Sequence, residues 1–238
     1  MIEFNSSFWN KMDPGYYDRN FDNLNLTNNV QHLWHYLTFL KQIKFLTSDK
    51  NHLDYACGPG TQIGLFSKSN SLGYDPSEQQ ISYAKKKYKT ITKNFTSNLE
   101  DLFTIDKFDV ITINGLFEYL DKDELAQLLT QIKNYSKVGT KILITTPNYN
   151  GFFPIIEYLS KFFGIINYEM VNKSKFKKKS LESFLLSFGA KNLKVIKIIN
   201  VGVFLAIVNS RYAIKTENLI ANLFKNKIGF LLMAEFEI

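Results

Sequence analysis

Between Val30 and Leu46 the apolar residues Leu33, Leu37, Leu40 and Ile43 recur every three or four positions, which predicts an amphipathic helix leading into the core. Asn51–Tyr55 then reads as a short strand, ended by Gly58-Pro59-Gly60, after which Thr61–Ser67 begins a helix. A second strand ends at Tyr74 and is followed by Asp75-Pro76-Ser77 and a helix from Glu78 to Tyr88. Phe108–Ile113, Lys141–Thr145 and Val195–Ile199 predict further strands, with a helical segment from Asp121 to Tyr135 between the first two. Strands alternating with helices imply an α/β fold built on a parallel, doubly wound sheet. Toward the C-terminus a long helical pattern from Leu205 to Phe224 precedes one last strand, Phe230–Phe236.

The segment from Tyr149 to Ser180 breaks this rhythm. Phe152-Phe153-Pro154 and some apolar turns lead into Lys173, Lys175, Lys177, Lys178 and Lys179, and we read it as a lid or specificity insertion. A chain of 238 residues suits one domain with a sizeable core. Its expected parts are an N-terminal flap and helix (1–47), a ligand-binding core (48–148), the lid (149–180) and the C-terminal part of the sheet (181–238).

The formal charge of +7 permits nucleic acid, an anionic membrane or a phosphorylated substrate as partner and selects none of them. The lysine run Lys173 to Lys179 could meet anionic headgroups peripherally, the plainer alternative being a solvated segment. A single cysteine, Cys57, excludes an intrachain disulfide framework and cysteine-cluster zinc sites and fits a reducing, cytoplasmic setting; no metal centre is expected. Met1 to Asp18 lacks the charged and apolar regions of a secretory leader. The longest apolar stretch, Ile198–Val208, falls short of the roughly 20 residues that span a bilayer.

The sharpest signal is Leu53-Asp54-Tyr55-Ala56-Cys57-Gly58-Pro59-Gly60-Thr61, a strand running through a glycine turn into a helix. Glycine lets a ligand approach the backbone there. A dinucleotide fingerprint would need a third glycine at position 63, where this chain has Ile63 and places Gly64 one residue late. A carboxylate at Asp54 is a poor neighbour for a pyrophosphate and a good one for a cation. Asp75 ends the next strand, where its two oxygens can accept hydrogen bonds from both hydroxyls of a ribose.

In these residues the chain resembles the class I S-adenosylmethionine-dependent methyltransferases, of the group that modifies small molecules and lipids. Leu53 to Thr61 matches the family's first motif and Leu72-Gly73-Tyr74-Asp75 its second. Ser97-Asn98-Leu99-Glu100 resembles the loop after the third strand, and Phe108 to Asn114 the fourth motif. The resemblance spans about Asp13 to Phe236 and implies a Rossmann-like, mostly parallel seven-stranded sheet, with the last strand antiparallel at an edge. It implies S-adenosylmethionine as cofactor, S-adenosylhomocysteine as product, and cofactor contacts from Asp54, Ala56, Gly58, Gly60, Asp75 and Pro76. Asn98 would meet the adenine amino group and Leu99 its ring, Asn114 and Gly115 would lie beside the sulfonium, and Tyr17 would close from the flap.

Read by themselves, Asn98 could equally form a turn, Leu99 could be core, and His35 on its amphipathic helix could be structural. Many relatives have a histidine after the glutamate of the fourth motif, and some have one in the lid; here Tyr119 follows Glu118, and Val171 occupies the lid position, so the resemblance assigns no catalytic base. The expected activity is methyl transfer to a small-molecule, lipid-like or sugar-linked acceptor, by preference on oxygen. The alternatives are a nucleic-acid methyltransferase, a nicotinamide-dependent oxidoreductase and a non-catalytic cofactor-binding protein. No stable nucleic-acid partner is expected, and the sequence is silent on oligomeric state.

Overall fold

The computed structural model describes residues 12–21, 28–103, 107–163, 171–225 and 227–238; the parts of the expected flap at 1–11 and 22–27, and of the lid at 164–170, lie outside them. Seven strands, β1 (Asn51–Tyr55), β2 (Asn70–Tyr74), β3 (Lys93–Thr96), β4 (Phe108–Asn114), β5 (Ser136–Pro147), β6 (Lys191–Ile198) and β7 (Leu231–Glu237), form one sheet of order β3-β2-β1-β4-β5-β7-β6. The first five are mutually parallel, and β7 runs antiparallel to both β5 and β6. The order reverses between β1 and β4, which opens a crevice beyond the carboxyl ends of these strands.

Helices α1 (Val30–Gln42), α2 (Thr61–Phe66), α3 (Glu78–Tyr88), α4 (Lys122–Tyr135), α5 (Phe153–Phe163), α6 (Lys178–Ser187) and α7 (Ser210–Phe224) flank the sheet. Local chemistry starts several of them. Asn29 caps α1 by accepting from the His32 N–H, and Ser77 caps α3 through the Gln80 N–H. Asp121 and Glu124 close a capping box on α4.

The two sheet faces differ in kind. Leu53, Tyr55, Ile111 and Ile113 point to one side and join Leu125, Leu128 and Ile132 of α4 and Leu181 and Leu185 of α6 in the main apolar core. On the other side His52 and Asp54 converge on Thr112: His52 Nε2 lies 2.8 Å from the Thr112 hydroxyl, which donates to Asp54 Oδ1 at 2.8 Å. Alternation along one strand thus separates a dry face from a polar one.

Three expectations need correction. The last strand is antiparallel but not at the edge, for β7 lies between β5 and β6. Five of its seven residues, Leu231 to Ala234 and Phe236, are buried and so suit an inner place covered on both faces, whereas β6 carries Lys191, Lys194 and Lys197, cations suited to an unpaired edge. The helix expected from Leu205 to Phe224 is two elements, a 3-10 segment at Val201–Ile207 and α7, because the Asn209 side chain accepts from the Arg211 and Tyr212 N–H groups and restarts the helix there. The lid is more regular than its sequence, since Phe153–Phe163 is helical with Pro154 in its first turn, where a missing N–H costs nothing.

Candidate active site

A cavity of about 230 Å³ opens at the carboxyl ends of β1, β2, β4 and β5. Tyr17, Asp54, Ala56 and Gly58 line it, as do Asp75, Pro76, Asn114 and Gly115. Gly58 adopts φ +51°, and a Cβ built on it would meet nothing within 4 Å, so the turn presents bare backbone to open space. Its N–H donates to Asp75 Oδ2 at 2.8 Å, and the Ser77 N–H donates to Asp75 Oδ1 at 2.9 Å. Each carboxylate oxygen is thereby fixed by one backbone donor and keeps lone-pair capacity for a second.

Electrostatically the wall is acidic. Among the described lining residues there are three carboxylates, Asp54, Asp75 and Glu118, and no lysine or arginine. Burial pushes Asp54 up to about 7 against the Thr112 hydrogen bond that favours its charge, and the Asp75 carboxylate adds to the rise. Burial also raises Asp75, opposed by the Ser77 and Gly58 N–H groups. Such a wall suits a cationic, hydroxylated ligand and repels a phosphate.

A family model described as a methyltransferase domain matches residues 26–197, well over half of the chain and all of the strands that shape this cavity's core. The chain belongs to the S-adenosylmethionine-dependent methyltransferase family. Solved structures share the methyltransferase's fold. A SAM-dependent methyltransferase from Archaeoglobus fulgidus superimposes with TM-score 0.59 at 19% identity, over 86% of this chain and 93% of that one. The plantazolicin methyltransferase BpumL, in complex with SAH, gives 0.58 at 20% identity over 98% and 93%. The magnesium protoporphyrin IX methyltransferase of Synechocystis, with bound SAH, gives 0.60 at 12% identity over 98% and 95%. No curated protein matches the chain in sequence.

Three of the residues singled out in sequence do not reach the cavity wall of this methyltransferase. Gly60 lies behind it at φ +77°, and a Cβ there would sit 2.5 Å from the Phe95 ring and 3.0 Å from Ala84 Cβ. The Asn98 carbonyl accepts from the Glu100 N–H and its amide donates to Asp101, so the side chain shapes a turn, while Leu99 packs half-buried against the main core. Gly60→Ala should therefore cost about 2–4 kcal/mol of stability from left-handed strain plus overpacking. A urea unfolding midpoint unchanged from wild type would contradict that role.

Asn114 lines the cavity but is already engaged. Its carbonyl accepts from Gln42 Nε2 (2.8 Å) and the Thr145 hydroxyl (2.9 Å), and its amide donates to Gln62 Oε1 (2.9 Å) and Gln42 Oε1 (3.2 Å). Gln42 and Gln62, both buried, thereby tie α1 and α2 to the tip of β4. Neither carries a sequence signal for this role, because a glutamine on an amphipathic helix is ordinarily solvated.

Asp18, in the flap beside Tyr17, has a structural part that no local sequence signal gives. Buried at 1% exposure, its carboxylate accepts from the Thr61, Tyr83 and Tyr88 hydroxyls at 2.6–2.7 Å and pairs with Lys87, which fastens the flap onto α2 and α3. Tyr17 next to it stacks on His35 with ring centroids 5.9 Å apart, and both face the cavity. Burial, then the neighbouring His32, lowers His35 to about 4, so it is neutral near pH 7.

Glu118 has the opposite tuning. It follows β4 on a short 3-10 turn, with Oε1 3.7 Å from where a Cβ on Gly115 would lie, and burial raises it to about 7 against its own backbone N–H and the Thr146 hydroxyl at 3.3 Å. Its backbone carbonyl accepts from the Lys173 and Ser174 N–H groups, which dock the end of the lid beside it. Cys57 is buried and its thiol is raised well above the usual range, in keeping with packing. Of the lysine run, Lys173 pairs with Glu124, Lys175 with Glu157 and Lys178 with Glu182.

Proposed function

We propose that this methyltransferase methylates a hydroxyl of a small, lipid-like or sugar-linked acceptor, with Glu118 as the general base. The observation that carries the reading is a buried carboxylate, raised to about 7, in the cavity wall beside Gly115. A base is most effective when its pKa lies near the working pH, and proton removal is needed for a hydroxyl acceptor in a way it is not for a neutral amine. His35, at about 4, is too weakly basic for the task.

When bound, S-adenosylmethionine supplies a methyl group that its sulfonium already activates. The residues of the chain align and shield. Asp75 accepts from the ribose hydroxyls, with Gly58 and Ser77 holding the carboxylate in place. Ala56, Gly58 and Gly115, the last at φ +63°, offer backbone to the methionine part, and Pro76 and Tyr17 cover the nucleoside. Asp54 sets a negative potential for the ammonium and sulfonium. Gly60 shapes the glycine turn from behind the wall, and Asn98 and Leu99 shape the loop after β3.

On the acceptor side Trp34, Phe39 and Phe153 make the cavity apolar, which favours an aromatic or lipid-like body and excludes water from the reaction. Glu118 would receive the acceptor's proton as the methyl group passes from sulfur to the acceptor oxygen, the sulfur–carbon bond breaking as the oxygen–carbon bond forms and S-adenosylhomocysteine leaving. The division of the chain into flap, core, lid and C-terminal sheet follows the same plan, the cofactor resting on the core and the acceptor between flap and lid. The test is transfer of labelled methyl to panels of hydroxylated aromatic and lipid-like compounds, amines and RNA. Preference for hydroxyls supports the proposal; preference for amines or RNA overturns it.

A further inference from the structure

Helix α7 carries two apolar faces, and only one is used by the fold. Ala213 is buried toward the core, whereas Tyr212, Leu219 and Leu223 line up at seven- and four-residue spacing on the outer side, exposed at 67%, 59% and 68%. The 3-10 segment before it exposes Phe204, Leu205 and Ile207, and Val208 follows at 76% exposure. So many exposed apolar side chains on two consecutive elements are unusual on a water-facing protein and mark a contact.

The charges around it say with what. From Ile199 to Ala234 Glu217 is the sole acidic residue, and it is buried, accepting from the Asn200 backbone and side chain. Arg211, Lys215, Lys225 and Lys227 in the same stretch are exposed. The adjoining helix α1 has no acidic residue and brings Leu40 and Lys41 to a small cleft shared with Asn218 and Ala221 of α7. The lysine run of the lid, in contrast, has Lys173, Lys175 and Lys178 paired with carboxylates. Among the described residues Arg211, Lys215, Lys225 and Lys227 form no salt bridge, and these exposed cations flank the apolar stripe.

We propose that this shoulder, formed by residues 201–208 and the outer face of α7, docks the protein on an anionic membrane surface. Apolar side chains enter the interface while the flanking Arg211, Lys215 and Lys225 meet headgroup phosphates. An apolar seam joins the shoulder to the cavity: Phe204 lies 6.0 Å from Phe230, Phe230 carries Trp34 at 4.9 Å, and Trp34 meets Phe153, with Trp34 and Phe153 both lining the cavity. The bilayer would thus be the source of a lipid-like acceptor, a step that rests on the function proposed above; the docking itself does not.

The experiment is co-sedimentation of the full chain with vesicles of phosphatidylglycerol and phosphatidylcholine in equal parts, and with phosphatidylcholine alone. Wild type should partition onto the anionic vesicles and weaken as salt is raised, and Leu219→Glu with Leu223→Glu should lose at least tenfold in partition while keeping its melting temperature and cofactor affinity. No partition of wild type, equal partition of the double variant, or equal binding to neutral vesicles would overturn the proposal. So would a sedimentation-velocity dimer that the double variant converts to monomer, which would give the face to a second copy. Membrane binding without methylation of any lipid-like acceptor would retain the docking and refute the acceptor class.

Discussion

Asp75→Ala should weaken S-adenosylmethionine binding by at least a hundredfold while leaving a folded protein. Two hydrogen bonds from ribose hydroxyls to a carboxylate contribute on the order of 1.5–3 kcal/mol each, and their loss together amounts to about 3 kcal/mol or more. The substitution also releases the Gly58 and Ser77 N–H groups, so part of the loss comes from a looser turn. Asp75→Asn separates the two, because its carbonyl oxygen can hold one backbone donor without the charge. Calorimetry with S-adenosylmethionine and S-adenosylhomocysteine reads the effect, and NAD serves as the control. Wild-type affinity in the alanine variant would remove Asp75 from the site, whereas a preference of the parent protein for NAD would speak against S-adenosylmethionine as the ligand.

Glu118→Gln should lower kcat by roughly a hundred- to ten-thousandfold with cofactor affinity unchanged. Glutamine keeps the shape of the side chain and its contact with Thr146 but cannot take up a proton at neutral pH. The pH dependence has a definite sign. The carboxylate is the active form, and its pKa is raised to about 7, so the wild-type rate should be low in acid and rise with a midpoint near 7. That limb should vanish in the variant. A variant with wild-type kcat, or one that keeps the limb, would assign the proton transfer elsewhere. A loss of affinity for the cofactor without a change in kcat would make Glu118 a positioning residue.

The same raised value bears on folding. A carboxyl group whose pKa is higher in the folded protein than in the unfolded chain adds stability below its unfolded value, and that contribution is lost as pH rises through the folded one. Asp54 and Glu118, starting from 3.8 and 4.5 and both reaching about 7, therefore oppose folding in the charged form that the proposed chemistry needs. The cationic cofactor proposed to lie beside Asp54 would offset this cost and so couple its binding to the integrity of the site.

Most of the sheet was legible in the chain because its signals are local. Leu53 and Tyr55 alternate with His52 and Asp54, glycines follow at the strand end, and Asp75 recurs one strand later, so period, turn chemistry and spacing agree with one another. β3 was placed through the family resemblance alone, since Lys93 and Asn94 leave its four residues without an apolar pattern. The break at Asn209 was invisible for another reason: asparagine within a helical period is tolerated, and only the observed Arg211 and Tyr212 contacts make it a cap.

The residues that complete the site were decided by the tertiary structure. Asp18 lies 43 positions from Thr61 and 70 from Tyr88, and Gln42 lies 72 from Asn114, distances over which no periodicity or motif carries information. Whether a polar side chain is solvated or buried against four partners depends on which elements pack together, not on its neighbours in sequence. The sequence by itself determined the family, the methyl donor and the carboxylates at the strand ends, because a turn and a strand terminus are specified by adjacent residues. The inner place of β7, the tuning of Glu118 and the bare apolar shoulder on α7 arose from packing, because burial and strand order are properties of the assembled chain.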